Sequence, residues 1–358
     1  MKIICLIESL GSGGAERQLT LLATLLKRER YAVEVWTYYP NDFYKQVLEE
    51  GNVPYRYISS AHSKIKRIPV LYNELRKCKP DVVISYLNTA SIVACIIKGL
   101  GLNYKLIVSE RNTTRRLSFR ERCKFLLYRF ADYIVPNSFT QADFIKKRFP
   151  VLEAKVKVIT NFVDTEKFKP SETGQFSIGN CRIIVVGRVV PQKNALLFVR
   201  AIEGVVRKGY NVNVQWYGDY DKESSEYYQN VVDEISMYGL ENVFKINPAT
   251  PLIEKKYIES DLFCLPSVYE GFSNVLCEAM SCGIPIVCSD ICDNPSIVEE
   301  EENGFLFNPL SVEDMTNAIV RFLNLDYNTK CRMSQKNREK ALLSFSSDVF
   351  IEKYKNLI

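Results

Sequence analysis

Two glutamates eight residues apart, Glu270 and Glu278, bracket a glycine and the first turn of a helix. Between them run Gly271, Phe272, Ser273, Asn274 and Val275. An apolar run at 262–265 reads as a buried strand leading in, and a helical pattern covers 273–282. Gly271 lets the backbone approach a ligand, and a helix start offers N–H groups without intrahelical acceptors. Such a place suits a phosphate or a sugar hydroxyl, with a carboxylate on either side. A second constellation lies at 187–194. There Gly187 and Arg188 end an apolar run, and Lys193 and Asn194 precede a helix. A guanidinium and an ammonium at the end of a buried strand read as a clamp for a diphosphate. A third is the turn Gly11-Ser12-Gly13-Gly14, set between a strand and a helix like a phosphate-binding loop. Glu16 stands where a dinucleotide fingerprint has its last glycine, and the Lys-Ser/Thr pair of a P-loop is absent.

These loops need a scaffold, and the rest of the chain supplies one by alternation. Strands are expected over 2–8, 32–38, 53–58, 81–86, 105–109, 133–135 and 156–159. Helices are expected between them at 43–50, 65–78, 89–100, 120–130 and 140–147. The residues at 162–180, with Pro170, Gly174 and Gly179, read as a linker. The pattern then restarts, with strands at 181–188, 212–217, 243–246, 262–265 and 284–288. Helices follow at 195–207, 227–237, 252–259, 312–323 and 330–343, and an amphipathic one at 348–358. Repeated strand–helix units imply parallel sheets covered by helices, with ligands at the carboxyl ends of the strands. In the first half those ends are Gly13-Gly14, 85–88 and 109–112.

Bulk properties narrow the function. At 358 residues, 47% hydrophobic and 25% charged, the chain has the composition of a globular protein of two domains. No apolar run is long enough to span a bilayer, and the N-terminus reads as a first strand rather than a cleavable signal. Eleven cysteines, none in Cys-x-x-Cys, sit mostly in apolar runs and read as free thiols. Cys277, Cys282, Cys288 and Cys292 have no common zinc spacing. The single histidine, His62, lies in a polar loop, so histidine triads and two-histidine metal sites are excluded. The net charge of +5 divides unevenly. Residues 1–170 carry 29 basic and 16 acidic side chains, and residues 171–358 carry 18 and 26. A basic first half suits an anionic surface or substrate, and a solvated basic face has the same charge balance. Its stretch 115–129 interleaves Phe and Leu with six basic residues, as an interfacial helix does, although a core helix with a basic outer face has the same pattern. No nucleic-acid recognition motif is present.

Taken in order, the motifs resemble the retaining glycosyltransferases of family 4. Glu270 and Glu278, followed by Ala279-Met280-Ser281-Cys282-Gly283-Ile284-Pro285, are similar to the family's donor-site signature. Gly13 to Arg17 resembles its N-terminal glycine loop, and Gly187-Arg188 with Lys193-Asn194 its phosphate-binding element. Asn161-Phe162-Val163-Asp164 resembles its interdomain segment, with Phe162 in place of the usual glycine. The resemblance implies an α/β chain of GT-B fold, two Rossmann-like doubly wound parallel-sheet domains facing across a cleft. Residues 1–165 with a returning helix at 346–358 would form the acceptor side, and 175–344 the donor side. Glu278 would bind the ribose hydroxyls, residues 271–275 the donor through backbone N–H groups, and Glu270 the transferred sugar. Arg188 and Lys193 would stabilise the leaving diphosphate, so that no metal or other cofactor is needed. The histidine that many members carry at a first-domain strand end is missing. The strand ends at 84–88 and 108–112 resemble a branch that includes bacterial N-acetylgalactosamine transferases of lipid-linked glycans. Glu110 or Arg111 would replace the missing contact, with Arg111, Asn112 and Asn88 on the acceptor side. The implied reaction moves a hexose or N-acetylhexosamine from a nucleotide-diphosphate sugar, UDP-sugar favoured, to a glycan hydroxyl. The acceptor would be linked to a polyprenyl diphosphate, in bacterial polysaccharide synthesis at the cytoplasmic face of the membrane. A sugar-nucleotide epimerase or a non-catalytic sugar-nucleotide-binding protein of the same fold are the other readings.

Overall fold

The computed structural model describes residues 1–114, 117–171, 176–177 and 179–358, so Arg115, Arg116 and Gly174 lie outside the described residues. Two compact units form: Met1–Asn161 with Ser347–Ile358, and Phe162–Ser346. Each is built on a six-stranded sheet. In the first unit the strands are β1 (Lys2–Leu6), β2 (Ala32–Thr37), β3 (Tyr55–Tyr57), β4 (Val82–Tyr86), β5 (Lys105–Glu110) and β6 (Tyr133–Pro136). Their order is β3-β2-β1-β4-β5-β6, parallel throughout. The second unit holds β7 (Cys181–Val186), β8 (Val212–Tyr217), β9 (Phe244–Asn247), β10 (Leu262–Leu265), β11 (Ile286–Ser289) and β12 (Gly304–Phe307). The order β12-β11-β10-β7-β8-β9 repeats the same topology. In both units the winding reverses beside the first strand, between β1 and β4 and between β7 and β10. Helices there depart to opposite faces and leave a crevice at the carboxyl ends.

Buried parallel strands read as continuous apolar runs because both faces are covered. In the second unit Ile183, Val185, Val214 and Trp216 face one core with helices Ala195–Arg207 and Val312–Leu323. Ile184, Phe263, Leu265 and Ile286 face the other, with helices Asn274–Ser281 and Tyr327–Phe345. Neighbours in β7 thus point to opposite layers, as the period of two requires.

The structure departs from expectation at three places. Residues 156–159 form no strand: a 3-10 helix, Pro150–Lys155, precedes them, and only a single bridge joins Val156 to Ile134. The helix expected from 330 begins at Tyr327, because the Asp326 carboxylate accepts the Thr329 N–H at 3.0 Å and caps it. The helix expected from 65 begins at Arg67, with Pro69 accommodated in its first turn, where an N–H has no helical acceptor. Among the described residues no helix is long and apolar enough to cross a membrane. All eleven cysteines are free; burial pushes the Cys282 thiol up to about 12.

Candidate functional site

In the second unit the loops after β7 and β10 meet. β7 runs into Gly187, whose carbonyl accepts the Trp216 indole N–H at 2.8 Å. A Cβ on Gly218 would lie 2.0 Å from that carbonyl, so only glycine lets the β7 and β8 ends come this close. Lys193 ends the 3-10 turn Pro191–Lys193, and its stem runs along Gly187, where a Cβ would lie 3.1 Å from Lys193 Cε. Gln192 fastens this turn to the next loop. Its side chain donates to the Tyr269 carbonyl at 3.0 Å and its own carbonyl accepts the Val268 N–H at 2.9 Å. Lys193 Nζ is thereby placed 2.5 Å from Glu270 Oε1, which also accepts the Ser267 hydroxyl at 2.6 Å. The pair is largely buried.

Asn194, expected on the donor, is buried in the left-handed conformation at φ 61°. Its amide donates to the carbonyls of Pro266 and Pro309 at 3.1 and 2.8 Å. It therefore holds the loops after β10 and β12 in place. Arg188 is exposed and pairs with Asp221 at 3.0 Å, a surface ion pair of small worth that leaves the guanidinium free to move.

Glu278 lies in helix Asn274–Ser281 and is buried; the Tyr257 hydroxyl donates to its Oε2 at 3.3 Å and to the Val275 carbonyl at 3.2 Å. Phe272 is a core side chain, edge-on to Phe345 at 5.6 Å, so toward a ligand it offers backbone only. Ser273 precedes the helix without capping it, and among the described residues its buried Oγ has no hydrogen-bond partner. Gly271 stands between Glu270 and Phe272 in this loop. Sequence reading missed Gln192, Ser267 and a slot beside β8 and β9. There Tyr220 stacks on Tyr228 at 4.1 Å and, with Gly218, Asp219, Asn247 and Pro248, lines a cavity of about 210 Å³. The Tyr pair spans a loop and a helix, and its spacing alone carried no signal.

The first unit corrects several expectations. Gly13 and Gly14 do start a helix, Gly14–Arg28, but a Cβ on Gly13 would lie 2.3 Å from Glu16 Oε2. The anion at this helix start is the chain's own carboxylate, whose pKa burial raises, and it opposes a phosphate by like charge. Glu110 is fully buried at the end of β5, paired with Lys124 at 3.0 Å and accepting from Tyr128 at 2.9 Å. It is a core carboxylate rather than a group that reaches substrate. Burial pushes its pKa up, against the Lys124 charge. Arg111 has most of its donors committed within the unit. It bonds Ser109, Asn161, Tyr86 and Tyr354 at 2.7, 2.7, 2.7 and 2.8 Å. Tyr354 belongs to the last helix, Ser347–Lys355, so Arg111 ties that helix to the ends of β4 and β5. Asn112 is exposed and Asn88 half-buried, at the start of helix Asn88–Gly99. Leu87 before it takes φ 70°, ψ 161°, a region that glycine favours and that costs other residues about 1–3 kcal/mol. His62 is exposed and edge-on to Tyr39, away from these loops.

A family model described as Glycosyltransferase Family 4 matches residues 12–167, and one described as Glycosyl transferases group 1 matches residues 180–325. An N-acetylgalactosamine-N,N'-diacetylbacillosaminyl-diphospho-undecaprenol 4-alpha-N-acetylgalactosaminyltransferase of Campylobacter jejuni is 26% identical over 358 residues, 95% of this chain and 94% of that one. A UDP-Gal:alpha-D-GlcNAc-diphosphoundecaprenol alpha-1,3-galactosyltransferase of Escherichia coli is 26% identical over 82% of this chain and 79% of its own. In fold, the chain superposes on HepE of Anabaena, crystallised with UDP, at a TM-score of 0.87 and 22% identity over 99% of each chain. Matched in order by these two models, and sharing the GT-B fold, the chain belongs to the family 4 glycosyltransferases.

Proposed function

We propose that the protein is a retaining, metal-independent transferase that moves a hexose or N-acetylhexosamine from a UDP-sugar to a hydroxyl of a polyprenyl-diphosphate-linked glycan. The Lys193–Glu270 pair at the ends of β7 and β10 carries this reading. It sets a cation for the departing diphosphate against a carboxylate for the sugar hydroxyls. The bond from the sugar's anomeric carbon to the diphosphate breaks as the acceptor oxygen bonds to the same face, and the hydroxyl proton passes to the leaving phosphate. Arg188 and Lys193 neutralise the charge that develops there, the task a metal would otherwise perform. Backbone N–H groups of residues 271–275 take the donor, Glu278 the ribose hydroxyls, and Tyr220 a planar base. The relatives from C. jejuni and E. coli, named for undecaprenyl-diphosphate acceptors, support this acceptor class.

A lipid-linked acceptor places the enzyme on an anionic membrane surface, and the first unit has a face suited to it. Because its strands are parallel, segments following β2, β3, β5 and β6 emerge at one edge. They expose Phe43, Ile65 (89%), Phe119 (82%) and Phe139, among Lys64, Lys66, Arg120 and Arg122. Exposed apolar side chains set among cations match the lipid interface. Buried Arg67 holds the Ile65 loop through the carbonyls of Ala61 and His62.

The test is a transfer screen of UDP-sugars against a synthetic polyprenyl-diphosphate-linked acceptor, with Glu278→Ala beside wild type. Folded Glu278→Ala should lose transfer and weaken UDP binding roughly tenfold or more; undiminished transfer would refute the assignment. Wild type should co-sediment with phosphatidylglycerol vesicles at low salt and be released at high salt, and Phe119→Ser with Ile65→Ser should reduce binding. Failure to sediment even at low salt would remove the membrane from the reading.

A further inference from the structure

Lys124 is an ammonium with no route to solvent, 2% exposed in helix Phe119–Leu127. Three oxygens surround its ammonium: Glu110 Oε2 at 3.0 Å and Glu121 Oε2 at 2.6 Å as ion pairs, and Asn88 Oδ1 at 3.3 Å, to which it donates a hydrogen bond. The rings of Phe125 and Tyr128 lie 4.5 and 5.9 Å from it. A buried ion pair is a weak stabiliser, and apolar side chains would anchor this helix as well. What they would not do is orient Asn88. Lysine only donates, so the side-chain atom of Asn88 that faces it must be the carbonyl oxygen. The amide nitrogen is therefore turned away from Lys124, and among the described residues it donates to nothing. Asn88 stands at the carboxyl end of β4, beside the reversal between β1 and β4, where open parallel sheets take their ligands.

We propose that Lys124, itself held by Glu110, is a positioning residue for sugar transfer: it turns Asn88 so that its amide N–H groups donate to a hydroxyl oxygen of the acceptor glycan. This rests on the transferase reading above. It also gives the buried carboxylate Glu110 a function that sequence alone placed in direct contact with substrate.

The experiment measures the KM of donor and acceptor separately, with the full chain, a UDP-sugar from the screen and the synthetic polyprenyl-diphosphate-linked acceptor. Asn88→Ala removes the donor group. Asn88→Asp keeps the bond to Lys124 but offers no N–H. Both should raise the acceptor KM about five- to tenfold, the weight of one hydrogen bond, and leave the donor KM unmoved. Lys124→Met alone strands a buried carboxylate, so it is paired with Glu110→Gln. The double variant leaves only the partly exposed Glu121 carboxylate without its cation, so it should stay folded and show the same rise, and adding Asn88→Ala should raise it no further. A normal acceptor KM in Asn88→Asp, or in the folded double variant, overturns the proposal. So does a rise in donor KM equal to that for acceptor. Wild type that transfers from no UDP-sugar instead overturns the functional reading, and this inference falls with it.

Discussion

Replacing Lys193 by methionine keeps the length of the side chain and removes an ammonium 2.5 Å from Glu270. Two consequences follow, and they can be separated. In the protein alone Glu270, with a tenth of its side chain exposed, keeps only the Ser267 hydroxyl. Breaking a buried pair from one side costs about 3 kcal/mol. In a unit of this size that lowers Tm by about 6–12 °C. In the reaction, loss of one cation from the leaving diphosphate should lower kcat about 10²- to 10³-fold, or about 3–4 kcal/mol on the barrier. The double variant Lys193→Met/Glu270→Gln removes the uncompensated charge. Its Tm should return toward wild type, while kcat stays low. Thermal melting and steady-state release of UDP read the two effects independently. If the double variant recovers kcat together with Tm, Lys193 serves only to neutralise Glu270 and the leaving-group role is refuted. A single variant within twofold of wild-type kcat would refute it as well.

Three further outcomes are expected of the scaffold. Arg111→Met removes four hydrogen bonds that join helix Ser347–Lys355 to β4, β5 and Asn161; it should destabilise the first unit by about 3 kcal/mol, and hydrogen exchange should show that helix opening first. Tyr354→Phe should cost only about 1 kcal/mol, and equal losses in the two variants would disprove the central place of the guanidinium. Asp261 fastens β10 to β7 through Arg182, and burial alone would raise its pKa. Hydrogen bonds from the Arg182 side chain and from the N–H groups of Arg182 and Ser177 outweigh burial and hold it below the usual aspartate value. A pKa lower in the folded chain contributes stability above about pH 4 that is lost as the pH falls through the folded value. Asp261→Asn should therefore flatten the acid limb of a urea-unfolding series below about pH 4, and an unchanged limb would count against the depressed pKa.

Much of the donor half was legible because its signals are local. Gly187, Lys193, Glu270 and Glu278 belong to strand–loop–helix units whose apolar runs and glycines fix where each loop begins. Helix Ala195–Arg207 and strand β8 have the expected boundaries for the same reason. The acceptor half was less legible. Glu110 and Arg111 stand at a strand end, as a substrate-facing pair would. Which way each turns depends on Lys124, Tyr128 and Tyr354, whose contacts with them span from 14 to 243 residues of chain.

By itself the sequence determined the alternation of strand and helix, the two parallel sheets and the order of the motifs, because hydrophobic period and glycine placement act over a few residues. Only the tertiary structure decided what each polar side chain faces. It joined Lys193 to Glu270 across 77 residues, committed Asn194 to two distant carbonyls and folded Glu16 over the glycine turn. It also sank Glu110 beneath Asn88, with Lys124 between them. A buried charge must find its partner wherever the fold brings one, and no local pattern records which partner that is.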